Sequence, residues 1–346
     1  MIKTGNLRLH IRRAVLALVC GVLFQSFTPE GLRPFEFNGY AQGTTYHITY
    51  YAHEVAVVQK QFDSIFSSID SSLSIYKPYS LIRQFNNSDS GIRMDKHLRM
   101  VVEKSLAIFE DSDGLFDITV YPIVRAWGFG SEPVSALPDS GQIKAFMNCV
   151  GSGKIYLKHD FLGKRIPCLQ IDVNGIAQGY SVDVVADFLE RNDLENYLVE
   201  VGGELRIKGY KEPGHQFMRI GIESPATQSG DMPDIKKIIT LTQGAVTTSG
   251  TYRKQRSMGK KMISHLMNPK TGYPLSNEMI SATVIAKDAM TADGYDNVLM
   301  SLGVKETLQF MRRHPGMQAY LIFRKPDGSI GDAATPGFYE LVVEDP

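Results

Sequence analysis

Three short stretches of the chain carry residues whose types and spacing suit chemistry on an anionic substrate. In Asp288-Ala289-Met290-Thr291-Ala292-Asp293-Gly294-Tyr295-Asp296-Asn297, Asp288 predicts a helix cap, and Asp293 and Asn297 then stand at i and i+4 on one face. Two oxygen donors pointing the same way suit a hard cation such as Mg²⁺, which commonly completes its shell with substrate phosphate; a solvated helix face would show the same spacing. Thr248-Ser249-Gly250 sets two hydroxyls beside a glycine, where donors can approach phosphate oxygens closely. His265, leading into Asn268-Pro269, is either a proton acceptor near neutral pH or a structural histidine.

These residues need elements that hold them together, and the stretch 171–183 is the one on which the rest turns. Ile171-Asp172-Val173 alternates as a strand does, Asn174-Gly175 breaks it, and apolar positions at Ile176, Gly179, Val182, Ala186 and Leu189 then follow helical spacing. Asn174 is the expected N-cap. A helix start offers unpaired N–H groups and a positive dipole end to an anion, although any strand-to-helix turn looks alike in sequence.

Elsewhere, 44–51 reads as a strand, and Val58, Phe62, Ile65, Phe66, Ile69 and Leu73 mark an amphipathic helix. A polar stretch over 76–87 precedes a second helix at 98–112, and Gly114 turns the chain into a loop-rich segment holding Trp127, the only tryptophan, which is read as buried. Alternation on both sides of Gly202-Gly203 predicts a β-hairpin, and strands are expected at 218–223, 238–242, 280–286, 319–323 and 338–343. Helices are interspersed without strict βαβ alternation. The expected class is therefore α+β, with largely antiparallel sheets and packed helices.

With 346 residues and 43% hydrophobic content the chain can bury a sizeable core, and 37 basic against 37 acidic residues leave no net field to attract nucleic acid. Lys3, Arg8, Arg12 and Arg13 precede an eleven-residue apolar run ending at Phe24, the pattern of a secretory signal and too short for an ordinary membrane span. Residues 1–30 are thus expected to be a signal or anchor, and 35–346 one domain with two subdomains as an option. Cys20 is either a lipid attachment site or an ordinary cysteine, and Cys149 with Cys168 could form one bridge in an oxidising compartment.

The ordered set Gly43-Thr44-Thr45-Tyr46, Asp113-Gly114-Leu115-Phe116-Asp117-Ile118-Thr119, Trp127-Gly128-Phe129-Gly130, Asp172 through Gly179-Tyr180 with Val182-Asp183, Val199-Glu200-Val201-Gly202-Gly203-Glu204, Thr248-Ser249-Gly250-Thr251-Tyr252-Arg253, Ser264-His265 with Asn268-Pro269-Lys270-Thr271-Gly272, and Ala292-Asp293 resembles the ApbE family of FAD:protein FMN transferases. The resemblance runs from about residue 39 to 303. It implies an ApbE-like, T-fold-related architecture and an exported, Mg²⁺-dependent enzyme that splits FAD, releases AMP and attaches FMN to a Thr or Ser of an acceptor protein. Such acceptors are typically subunits of membrane redox pumps, which places the enzyme on the periplasmic side of the inner membrane, tethered by its N-terminal segment or by a lipid on Cys20.

Carried over motif by motif, the resemblance assigns the metal to the Gly175 carbonyl, Asp293 and Asn297, and the flavin contacts to Gln42, Leu115, Phe116, Asp117, Gln178, Thr248, Ser249 and Gly250. His265 falls where the family's base is expected. The chain departs from the common family pattern at Gln42, Gln178 and Asn297, where Met, Lys and Thr are usual. Two other readings use the same residues: a Mg²⁺-dependent FAD pyrophosphatase giving free FMN and AMP, and a non-catalytic FAD-binding lipoprotein.

Overall fold

The computed structural model describes residues 31–223, 235–252, 255–258 and 261–344. The expected signal segment with Cys20, and the polar insertion read around residues 228–233, lie outside the described residues.

An eight-stranded antiparallel sheet organises the chain. Its strands are β1 (Arg33–Ala41), β2 (Thr44–Ala52), β3 (Tyr197–Val201), β4 (Glu204–Lys208), β5 (Gln243–Gly250), β6 (Met279–Ala286), β7 (Gln318–Arg324) and β8 (Ile330–Ala334), and spatial order follows this chain order. Alternate side chains sort to two faces because the strand period is two. Tyr46, Ile48 and Tyr50 of β2, Ala282, Val284 and Ala286 of β6, and Ala319 and Leu321 of β7 face the helical layers. Tyr51, Val246, Ile285, Tyr320 and Ile322 face a three-stranded sheet of Met218–Glu223, Ile235–Leu241 and Val342–Glu344.

The long excursion between β2 and β3 supplies most of the helical layer. Helix α1 (Gln59–Leu73) buries Phe62, Phe66, Ile69 and Leu73, as its spacing predicts, whereas Val58, expected on the same stripe, precedes the helix and is exposed. Helix α2 (Lys96–Asp111) is capped by Asp95, whose carboxylate accepts from the Leu98 N–H at 2.8 Å. Helices α3 (Ala177–Glu190) and α4 (Ala289–Leu302) pack against each other beneath the sheet.

Several expectations need correction. The 33–41 stretch is a strand, joined to β2 by a tight two-residue turn in which Gln42 and Gly43 both have positive φ (54° and 80°). Pro34, second in the strand, is tolerated there because an edge strand lacks one neighbour. Part of the polar stretch 76–87 is the helix Leu81–Asn87, capped by Ser80. At the C-terminus, the short helix Pro336–Tyr339 and the strand Val342–Glu344 replace the single strand expected over 338–343.

The central stretch differs most. Residues 171–173 are buried but form no strand: the Ile171 N–H donates to Asn86 Oδ1 (2.7 Å), the Asn86 amide donates back to the Ile171 carbonyl (2.9 Å), and the Asp172 N–H donates to the Ile118 carbonyl (2.7 Å). One asparagine side chain supplies the pairing a neighbouring strand would give, which is how a buried backbone stays satisfied without a ladder. Asn174 is not the cap of α3; Ile176 occupies that position and makes no side-chain cap bond. The turn is instead closed by Asp172, whose Oδ1 accepts from the Asn174 N–H at 2.9 Å.

Candidate active site

The missing cap of α3 comes from α4. Asp293 Oδ2 accepts the Gly179 N–H at 2.8 Å, in the first turn of α3. The exchange is mutual, since Asp183 of α3 accepts the Ala289 and Met290 N–H groups at the start of α4, at 2.9 and 2.8 Å, beside the bond Asp288 itself makes to the Thr291 N–H. Each helix therefore satisfies orphan donors of the other, which fixes their relative position along both axes. Close approach requires glycine at position 179: an added Cβ would lie 2.3 Å from the Ala289 carbonyl oxygen and 2.7 Å from Asp293 Cβ.

Asp183 is buried, and burial pushes its carboxyl up to about 6 against the opposing pull of the two backbone donors and of Arg206, 3.0 Å away. Arg206 of β4 also reaches Asp187 and Glu190 (3.0 and 3.1 Å), so the reverse face of α3 is bound to the sheet by one guanidinium. These contacts anchor the two helices that carry the site.

Two adjoining cavities meet at the α3 start. One, of about 220 Å³, is polar and is lined by Gln42, Gln178, Thr248, Ser249, Gly250 and Asp293 among others. The second, of about 180 Å³, has a wall of Leu115, Phe116, Ile118, Val120, Val124 and Phe129. Asn174, Gly175, His265 and Asn297 border both. Every site residue expected from sequence lies on one or the other, brought together from six separate segments.

Their hydrogen bonds refine what each can do. Gln42 Nε2 donates to Ser181 Oγ (2.8 Å), tying the β1–β2 turn to α3. Gln178 Nε2 donates to the Val201 carbonyl (2.8 Å), and Gly202, at φ 60°, leaves the space: a Cβ there would lie 1.7 Å from that nitrogen. The amide is thus partly committed to the β3–β4 turn. Asp117 is committed more fully, because its carboxylate accepts from Thr119 N–H and Oγ1 and from Ser152 N–H and Oγ, at 2.6–3.1 Å. It holds the loop that presents Leu115 and Phe116. Thr248 Oγ1 bonds Thr283 Oγ1 at 2.9 Å, and Phe129 meets the His265 ring edge to face at 6.3 Å between centroids. Trp127 is buried, as expected, with Nε1–H donated to the Gly272 carbonyl at 2.8 Å.

The donor set fits a hard cation. The Asn297 side-chain amide nitrogen lies 3.2 Å from the Gly175 carbonyl oxygen, 2.9 Å from the Asp293 carbonyl oxygen and 3.0 Å from Asp296 Oδ1. These oxygens surround the Asn297 amide nitrogen; they are donors of the hard type that Mg²⁺ accepts, with no sulfur or imidazole among them. Sequence reasoning missed Asp296, which is almost fully buried and lines the polar cavity. The signal was present: position i+3 from Asp293 shares the helix face that i+4 does.

A polar cavity with an oxygen cradle, opening onto an aromatic one, can take a ligand with a phosphate part and a flat ring part, which is the form of a nucleotide. The comparisons place this arrangement. The ApbE family model matches residues 42–321. A Vibrio cholerae protein named FAD:protein FMN transferase is 34% identical over 273 residues, covering 77% of this chain and 80% of that one; a Haemophilus influenzae protein of the same name is 32% identical over 306 residues, covering 85% and 87%. The solved flavin transferase ApbE from Vibrio cholerae superimposes with a TM-score of 0.79 at 30% identity, covering 90% of this chain and 99% of that one. The apo form of the Pseudomonas stutzeri flavinyl transferase ApbE gives 0.79 at 32%, covering 90% and 97%. This chain belongs to the ApbE family.

Proposed function

We propose that the protein is an FAD:protein FMN transferase that moves the FMN half of FAD onto a Thr or Ser hydroxyl of an acceptor protein, in a Mg²⁺-dependent step that releases AMP. The convergence of Gly175, His265, Asp293 and Asn297 on one polar cavity carries this reading, supported by family membership and by relatives named for that activity.

In the step, the acceptor oxygen bonds to the FMN phosphorus while the bond from that phosphorus to the oxygen bridging to AMP breaks. The hydroxyl proton passes to the His265 ring, and AMP departs with the bridging oxygen. Gly175 O, Asp293 and Asn297 would hold Mg²⁺, which when bound neutralises charge on the pyrophosphate. Thr248, Ser249 and the start of α3 offer donors to phosphate oxygens, while Leu115, Phe116 and Phe129 offer faces to a planar ring. Both cavities open to solvent, as a site that must admit a residue of another protein has to be.

The protein is further read as exported and held at the periplasmic face of the inner membrane by its N-terminal segment or a lipid on Cys20, where it would serve a membrane redox-pump subunit. The disulfide between Cys149 and Cys168 supports an oxidising compartment. No described helix is long and apolar enough to cross a membrane. The test is to follow AMP from FAD and Mg²⁺ with and without acceptor. AMP that appears in step with flavin-labelled acceptor supports transfer; equal AMP and free FMN without acceptor would make the enzyme a pyrophosphatase, and unchanged FAD in both would make it a carrier.

A further inference from the structure

We infer that Cys149 and Cys168 are positioning residues for FAD: their disulfide clamps the loop that presents Leu115 and Phe116 against the turn that presents Gly175, and the site binds FAD fully only while that bond is closed. This rests on the flavin-transfer reading above and adds a redox condition to it.

Two segments build the clamp. Beyond Cys149, Ser152 donates its N–H to Asp117 Oδ2 (3.1 Å) and its hydroxyl to Asp117 Oδ1 (2.6 Å), and the Gly151 N–H donates to Thr119 Oγ1 (2.6 Å). Beyond Cys168, the Asp172 N–H donates to the Ile118 carbonyl (2.7 Å), and Asp172 Oδ1 closes the turn into Gly175 by accepting from the Asn174 N–H. Residues 117–119 are thus held from two sides, by the chain that follows one cysteine and by the chain that follows the other. The hairpin of Ile155–Lys158 and Phe161–Lys164 brings those chains together, with the Arg165 N–H donating to the Lys154 carbonyl (2.9 Å) at its base. The disulfide, with its Cα atoms 5.5 Å apart, ties them again beyond that bond. Val150, next to Cys149, is buried with Ile123, Trp127 and Met267, the group against which Val124 and Phe129 of the aromatic wall pack.

The bond also lies where it can be opened. Neither cysteine lines either cavity, so the sulfurs touch no substrate; Cys168 is exposed and Cys149 half-buried, which lets a dithiol in solution reach them. A thiolate of the dithiol attacks Cys168 Sγ, the S–S bond breaks, and Cys149 leaves as a thiolate that takes up a proton. The second thiol of the reductant then displaces Cys168, which also takes up a proton. Two electrons have passed, leaving two protein thiols and the reductant as its disulfide. Without the covalent tie, FAD has to order Leu115 and Phe116 as it binds. A chain read as exported would therefore hold FAD weakly among cytosolic thiols and acquire its full site on reaching an oxidising compartment.

The test titrates FAD into the full chain with Mg²⁺ and no acceptor, read by flavin fluorescence at a temperature well below melting. Oxidised parent, parent reduced with dithiothreitol, and the double variant Cys149→Ser with Cys168→Ser are compared, with thiol counts and melting temperatures. We expect reduction and the double substitution each to weaken FAD binding by about fivefold or more, the scale of ordering one or two side chains on binding. Dithiothreitol should do nothing further to the double variant, which keeps Cys20, and reoxidation should restore the affinity of the reduced parent. A bond that only staples the fold would lower the melting temperature and leave FAD affinity within about twofold of the parent, and that result would overturn the inference. Unchanged affinity in a parent whose thiol count shows the bond open would overturn it too, and decides the matter if the double variant does not fold. An oxidised parent that binds no FAD would overturn the flavin reading itself, and this inference with it.

Discussion

Asp293 has two tasks that a single substitution confuses. Its Oδ2 caps α3 through the Gly179 N–H, while its charge lines the polar cavity and is the one proposed to hold Mg²⁺. Asp293→Ala removes both, and loss of a helix cap costs about 1 kcal/mol, so its melting temperature should fall along with activity. Asp293→Asn keeps an oxygen for the cap and removes the charge. We predict that the Asn variant melts close to the parent and yet loses Mg²⁺-dependent flavin transfer; retained turnover would exclude Asp293 as the anionic ligand. His265 makes a different prediction. A base acts in the transition state, so His265→Ala should cut kcat by about 10²- to 10⁴-fold with little change in FAD affinity. A weakened affinity at unchanged kcat would make it a binding residue.

At the level of elements, the site depends on how closely α3 and α4 approach. The reciprocal caps and Gly179 set that distance, and a methyl group at 179 meets a carbonyl oxygen, which cannot swing away as a flexible side chain would. Gly179→Ala should therefore cost about 1–3 kcal/mol, as overpacking typically does, and depress transfer by pushing Asp293 away from the start of α3. Denaturant midpoints and turnover together check this, and a variant with parental values for both would refute the close-packing account. The sequence showed much of this layer and missed its logic. Helices α1 and α2 and the β3–β4 hairpin were legible because burial follows their period; α3 was legible past Ile176 for the same reason. Its cap was not, because the capping carboxylate arrives from a residue more than a hundred positions later. The false strand at 171–173 has the same origin: alternation reports burial of a backbone and is silent on whether a strand or the Asn86 side chain pairs with it.

For the molecule as a whole, the helical layer has a built-in response to acid. His97 of α2 bonds Tyr180 of α3 through Nδ1 (2.8 Å) and Ser68 of α1 through Nε2 (3.1 Å), joining three helices at one ring. Burial lowers its pKa below the ordinary value of 6.5, with Asp95 opposing. Since the folded value lies below the unfolded one, the unfolded chain takes up the proton first: stability is fully present above pH 6.5 and is lost as pH falls through that value toward the folded pKa. The melting temperature should accordingly drop less between pH 7 and 5 in His97→Gln than in the parent; an identical pH profile would mean that His97 does not contribute. The candidate site was legible as a set of residues, since the motifs carry identity along the chain. Its division into a polar and an aromatic cavity and the structural duty of Asp117 came only with the fold, because each depends on which segments meet. The most direct measurement of the central claim is flavin fluorescence of an acceptor protein after denaturing electrophoresis, following incubation with FAD, Mg²⁺ and this enzyme. The account predicts a fluorescent acceptor band that needs Mg²⁺ and disappears when the acceptor's Thr or Ser is replaced by Ala; an unlabelled acceptor, with FAD intact or converted to free FMN, would contradict it.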